Sequence, residues 1–60
     1  MTTAEARELG KAAFRTGGPR AVSLREDMGR FLDAAGDLDQ PAVSAYMSAW
    51  DEANIAERMA

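Results

Sequence analysis

The sequence predicts an all-α protein, a small three-helix bundle in one domain over residues 1–60. Three observations lead there. Apolar residues recur at helical spacing in three stretches, each opens on a capping residue, and the first two close on glycine. No stretch alternates apolar and polar residues long enough to make a strand.

The first helix is expected near residues 3–16. Thr2 is placed to cap it, with Glu5 at the matching third position of a capping box. Ala6, Leu9, Ala13 and Phe14 then share a face. The exit reads TGGP: Gly17 or Gly18 can adopt the left-handed conformation past the helix end, and Pro19 cannot continue the helix.

A second helix is expected near 24–35. Ser23 and Glu26 repeat the capping box, and Leu24, Met28, Phe31, Leu32 and Ala35 form the strongest amphipathic stripe of the chain. Gly36 ends it. Gly29 inside it marks either a close approach by a neighbouring helix or a tolerated surface position.

The third helix is expected near 40–56. Asp39 caps it, and Pro41 is accepted in the first turn, where its missing N–H has no helical partner. Val43, Tyr46, Met47 and Trp50 line one side, flanked by Ala42, Ala49 and Ala53. Tyr46 and Trp50 are the only tyrosine and tryptophan of the chain and lie one turn apart. The expected core is Leu9, Phe14, Leu24, Met28, Phe31, Leu32, Val43, Tyr46, Met47 and Trp50, with Trp50 as its largest member. Ile55 and Met59 point away from that stripe and form a candidate contact for another chain.

Sixty residues bury only about 60% of the surface the unfolded chain exposes, and a core of this size rarely supplies more than about 3–5 kcal/mol. With no cysteine and no histidine, disulfides and the usual zinc sites are excluded. So are nucleophile–base pairs of the serine- or cysteine-hydrolase kind. Asp51 and Glu52 are adjacent on a helix and point apart, and TGGPR lacks the lysine and spacing of a phosphate loop. Neither an enzyme, a cofactor, a metal site nor a small-molecule substrate is expected. No apolar run approaches a membrane span and no secretory signal is visible, so a cytoplasmic protein with no membrane contact is expected.

The net charge of −3 is unevenly spread. Residues 1–32 carry six basic and four acidic groups, residues 33–60 one basic and six acidic. Arg7, Lys11 and Arg15 form a basic ridge on the first helix, extended by Arg20 in the loop. These four, with Ile55 and Met59, are the candidate partner-binding residues. Against nucleic acid stands a sequence pI near 4.7, far from the basic domain such binding favours. A non-enzymatic interaction module is therefore expected, one that binds and modulates a larger protein partner or self-associates.

Two segments taken together, ELGKAAFRTGGPR and AYMSAWDEA, resemble the helices of ribosome modulation factor-like proteins. The resemblance implies a small ribosome-associated regulator in which Arg15 and Arg20 meet RNA and Trp50 is structural. Members of that family are basic and lack a long middle helix, whereas this chain is acidic and places SLREDMGRFLDAAGD between the two segments.

Overall fold

A computed structural model describes residues 1–59. Among them the chain is all-helical: α1 spans Thr3–Arg15, α2 spans Gln40–Met59, and two short 3-10 turns, Val22–Leu24 and Met28–Phe31, lie between. No named strand occurs among the described residues; one isolated antiparallel bridge joins Leu32 to Leu38. The expected helix over 24–35 is thus replaced by turns, and the fold is a pair of helices with a structured connector.

Both ends of α1 follow from local chemistry. The Thr2 hydroxyl accepts from the Glu5 N–H at 3.1 Å, and the Glu5 carboxylate accepts from the Thr2 N–H at 3.3 Å. At the other end Gly17 sits at φ +76°, its N–H bonds to the Phe14 carbonyl, and the Gly18 N–H bonds to the Ala13 carbonyl. That is the Schellman arrangement, and only glycine takes its left-handed position without strain. At the start of α2, the Asp39 carbonyl accepts from Val43 at 2.9 Å and its carboxylate from Ala42 at 3.4 Å.

The two helices run in the same direction. Gly10 meets Tyr46 and Ala49, Phe14 packs edge-to-face with Trp50, and Phe14 and Arg15 share a groove with Ala53, Ala56 and Glu57. A step along α1 is therefore a step along α2 in the same sense. Neighbours of that kind cannot be joined by a tight turn, so the connector must travel back along α2. It does so in order: Gly18 at Trp50, Pro19 at Tyr46, Phe31 over Tyr46, and finally the Phe31 carbonyl accepting from the Asp39 N–H.

This return path explains why residues 24–35 are not a helix. Arg25 turns inward and donates to the Tyr46 hydroxyl at 3.0 Å while its other nitrogens grip Asp27. Residues two apart on a helix face different sides and cannot pair in this way. The backbone at Arg25 is accordingly extended, and no side chain caps either 3-10 turn.

The core differs from the expected one in the same region. Phe31 and Tyr46 are fully buried, in an edge-to-face pair with centroids 5.4 Å apart. Leu9, Met28, Val43, Met47 and Trp50 pack against them half-buried, and Phe14 and Leu32 are also half-buried. Leu24 is not core: 74% of it is exposed, because the turn that buries Val22 points Leu24 outward. The other buried positions are small residues, Ala6, Gly10 and Ala13 on α1 facing Ala42 and Ala49 on α2. Gly10 is where the backbones come closest: a Cβ there would collide with the Tyr46 carbonyl oxygen and lie 3.2 Å from the Ala49 Cβ. Gly29, expected as a place of close approach or a surface residue, has nothing within 4 Å of an added Cβ and is the latter.

Candidate interaction surface

A half-buried polar centre sits between connector and α2. The Tyr46 hydroxyl donates to the Pro19 carbonyl at 2.5 Å and accepts from Arg25, whose guanidinium also lies 5.1 Å from the Tyr46 ring centroid and 5.8 Å from that of Phe31. Desolvation of the cation opposes this placement. The hydrogen bonds to Asp27 outweigh it and raise the Arg25 pKa, and the same bonds hold the Asp27 carboxyl below its ordinary value. The Trp50 indole N–H donates to the Gly18 carbonyl at 3.2 Å, tying the exit of α1 to the same helix. Trp50 is half-buried, packing edge-on against Phe14 at 5.3 Å, so the bolt of the core is Tyr46 rather than Trp50.

The expected basic ridge is largely paired within the chain. Arg7 forms a two-bond fork with Glu52 at 2.7 and 3.0 Å, and Arg20 a second fork with Asp51 at 2.7 and 2.8 Å. Lys11 lies 3.8 Å from Glu8. Of the four, Arg15 makes no ion pair among the described residues. The uneven charge of the two halves of the sequence is thus matched across the helix pair. Adjacent Asp51 and Glu52 do point apart, each toward an arginine on its own flank of α2.

These forks lower the carboxyl pKa values of Glu52 and Asp51 through hydrogen bonds from Arg7 and Arg20. Glu5 is lowered mainly by the backbone bond at Thr2. A group whose folded pKa is depressed stabilises the fold above its unfolded value and loses that contribution as the pH falls through its folded value. Thermal midpoints should therefore be flat above about pH 5. They should fall as the pH drops below the ordinary values of 4.5 for glutamate and 3.8 for aspartate. Melts followed by circular dichroism between neutral and acid pH check this, and a midpoint that rises on acidification would contradict it.

A few large apolar side chains also face outward. Ile55 is 55% exposed and Met59 82%, on the side of α2 away from Tyr46, and Leu24 projects from the connector. The ridge residues Arg7, Lys11, Arg15 and Arg20 and the Ile55–Met59 pair are not one surface, since the first two forks lie on either flank of α2 and the apolar pair lies between them. Open depressions of about 630 Å³ beside Leu24 and Arg25 and about 360 Å³ beside Leu9 and Arg30 complete the relief. Among the described residues no three histidine, cysteine or acidic side chains are grouped as a metal site, and no helix is long and apolar enough to cross a membrane. No protein-family model matches the chain, and neither a curated protein nor a solved structure is similar to it.

Proposed function

We propose that this chain is a non-enzymatic helical interaction module that docks on and modulates a larger protein, or associates with itself, through its apolar outer surface. The observation that carries the reading is the pairing of Arg7 and Arg20 with Glu52 and Asp51, beside which Leu24, Leu38, Ile55 and Met59 are the large apolar side chains left exposed. The carboxylates with shifted pKa values support the non-enzymatic part. Arginine partners hold Asp27, Asp51 and Glu52 charged and hydrogen bonds at Thr2 hold Glu5 so, the reverse of what a general acid near neutral pH requires.

The test compares two folded variants in affinity capture from the native cell. Ile55→Glu with Met59→Glu should lose the bound partner, and Lys11→Glu with Arg15→Glu should keep it. Arg7 and Arg20 are left intact because reversing them would break the fold's own bridges. Retention by the first variant and loss by the second would overturn the reading.

A second reading, a ribosome-associated regulator like the ribosome modulation factor-like proteins, is favoured by one observation. Residues 23–35 do not form a helix, which brings the outline of the chain closer to that family's two helices. Arg15, beside the glycine exit, is then the residue to meet RNA. Anisotropy with mixed-sequence RNA separates the readings. Phosphate binding falls steeply between about 50 and 200 mM salt and is lost on Arg15→Glu, while an apolar protein contact barely responds to salt.

A further inference from the structure

We propose that the outer face of α2 is self-complementary and that a second copy of this chain docks on it antiparallel. The proposal rests on the interaction-module reading and names its partner.

At about 100° per residue, Ser44, Ser48, Asp51, Glu52, Ile55 and Met59 fall on one side of α2, opposite the buried Ala42, Tyr46 and Ala49. Ser44, Ser48, Glu52, Ile55 and Met59 are exposed and Asp51 is half-buried. The spacing, steps of three and four, is that of a helix–helix seam. Small side chains occupy its N-terminal half and large apolar ones its C-terminal half. In a parallel pair, large would meet large at one end and leave the other empty. In an antiparallel pair centred between Asp51 and Glu52, Ser44 stands opposite Met59 and Ser48 opposite Ile55. Each long apolar chain then lies over a short one, which lets the backbones approach and fills the space between them.

The centre of that seam decides whether a second copy is tolerated. Two bare helices would bring four carboxylates together and repel. Here Arg7 neutralises Glu52 on one flank and Arg20 neutralises Asp51 on the other. A two-fold axis perpendicular to the paired helices sets each fork beside its own symmetry mate in the reverse sense. The result is two quartets without net charge, one per flank, each of two arginines and two carboxylates. Packing α2 against α1 and the connector is therefore what makes its outer face compatible with a copy of itself. A lipid surface fits poorly, since four charged groups sit in the middle of the face. A strongly charged partner finds no net charge there to pair with. Two large apolar side chains per copy give a small seam, so the dimer is a weak and reversible one.

The full chain in sedimentation equilibrium, from about 10 μM to about 1 mM, should show a concentration-dependent monomer–dimer equilibrium. Ile55→Glu should weaken it about tenfold or more without moving the thermal midpoint, because Ile55 is exposed in the monomer. The chain has no cysteine, so introduced thiols report the register directly. A short thiol cross-linker should join Ser48→Cys copies to Ile55→Cys copies in a mixture, and should fail with Ser48→Cys mixed with Ser44→Cys. A monomer across the whole range, a dimer indifferent to Ile55→Glu, or cross-linking between Ser48→Cys and Ser44→Cys would each overturn the proposal. A monomeric wild type whose Ile55→Glu variant still loses a larger protein in capture sinks the dimer and keeps the module. A dimer with the stated cross-links in a chain that captures nothing supports the dimer and makes self-association its role.

Discussion

Gly10→Ala should destabilise the protein by about 2–3 kcal/mol, the upper part of the range of about 1–3 kcal/mol for overpacking at a tight contact, although alanine is the better helix former by about 1 kcal/mol. The added Cβ has no room: the Tyr46 carbonyl oxygen stands in its place, and the atom behind it is backbone, which cannot swing aside as a side-chain tip can. Relief requires α1 and α2 to separate, and separation loosens Ala6, Ala13, Ala42 and Ala49, whose short side chains reach across only because the helices are close. For a domain whose net stability is about 3–5 kcal/mol, this removes most of it. Urea titration followed by circular dichroism measures the change. Gly29→Ala is the matched control: its site is open and its φ is not positive, so it should be neutral or stabilise by up to about 1 kcal/mol. A Gly10→Ala protein at least as stable as the wild type would mean that the helices do not meet at that point.

The second large effect belongs to Tyr46. Tyr46→Ala removes the largest fully buried side chain, with its edge-to-face contact to Phe31, and should cost about 3–5 kcal/mol, leaving little folded monomer. Because that variant need not fold, Tyr46→Phe carries the finer test. It keeps the ring and deletes the hydroxyl, stranding the Pro19 carbonyl and one Arg25 N–H, and should cost about 1–3 kcal/mol. If the hydroxyl joins the connector to α2 as the geometry indicates, Tyr46→Phe and Arg25→Met should be non-additive in a double-mutant cycle. Trp50 fluorescence follows the unfolding, since the indole bonds to Gly18 only while the connector is docked. Strict additivity would mean that the hydroxyl and the guanidinium act independently.

Local chemistry was readable wherever a short stretch of chain satisfies itself. The Thr2–Glu5 box, the glycine exit after Arg15, the entry at Asp39 and the outward placement of Ile55 and Met59 all depend on residues within a turn of one another. The middle segment reads as the best amphipathic helix in the chain, yet Arg25 finds Tyr46 twenty-one residues away, and that bond with the Asp27 fork outweighs the local preference. A stripe of apolar residues also wrongly placed Leu24 in the core, and missed that the contact between α1 and α2 is carried by small residues. The Ala6–Gly10–Ala13 spacing on α1 and the alanines flanking Tyr46 were the available signal that two helices meet closely. The basic ridge had the right residues and spacing, but spacing does not reveal that Glu52 and Asp51 return to meet them.

By itself, then, the sequence determined an all-helical chain, the caps that open its first and last helices and the absence of histidine and thiol chemistry, because these depend on neighbours along the chain and on composition; the last helix runs to Met59, three residues beyond the expected end at 56. Only the tertiary structure decided that α1 and α2 lie side by side in the same sense, that the middle of the chain is a return path rather than a helix, and that the arginines are bridged. Those outcomes depend on side chains tens of residues apart, whose hydrogen bonds and close packing exist only once the two helices have met.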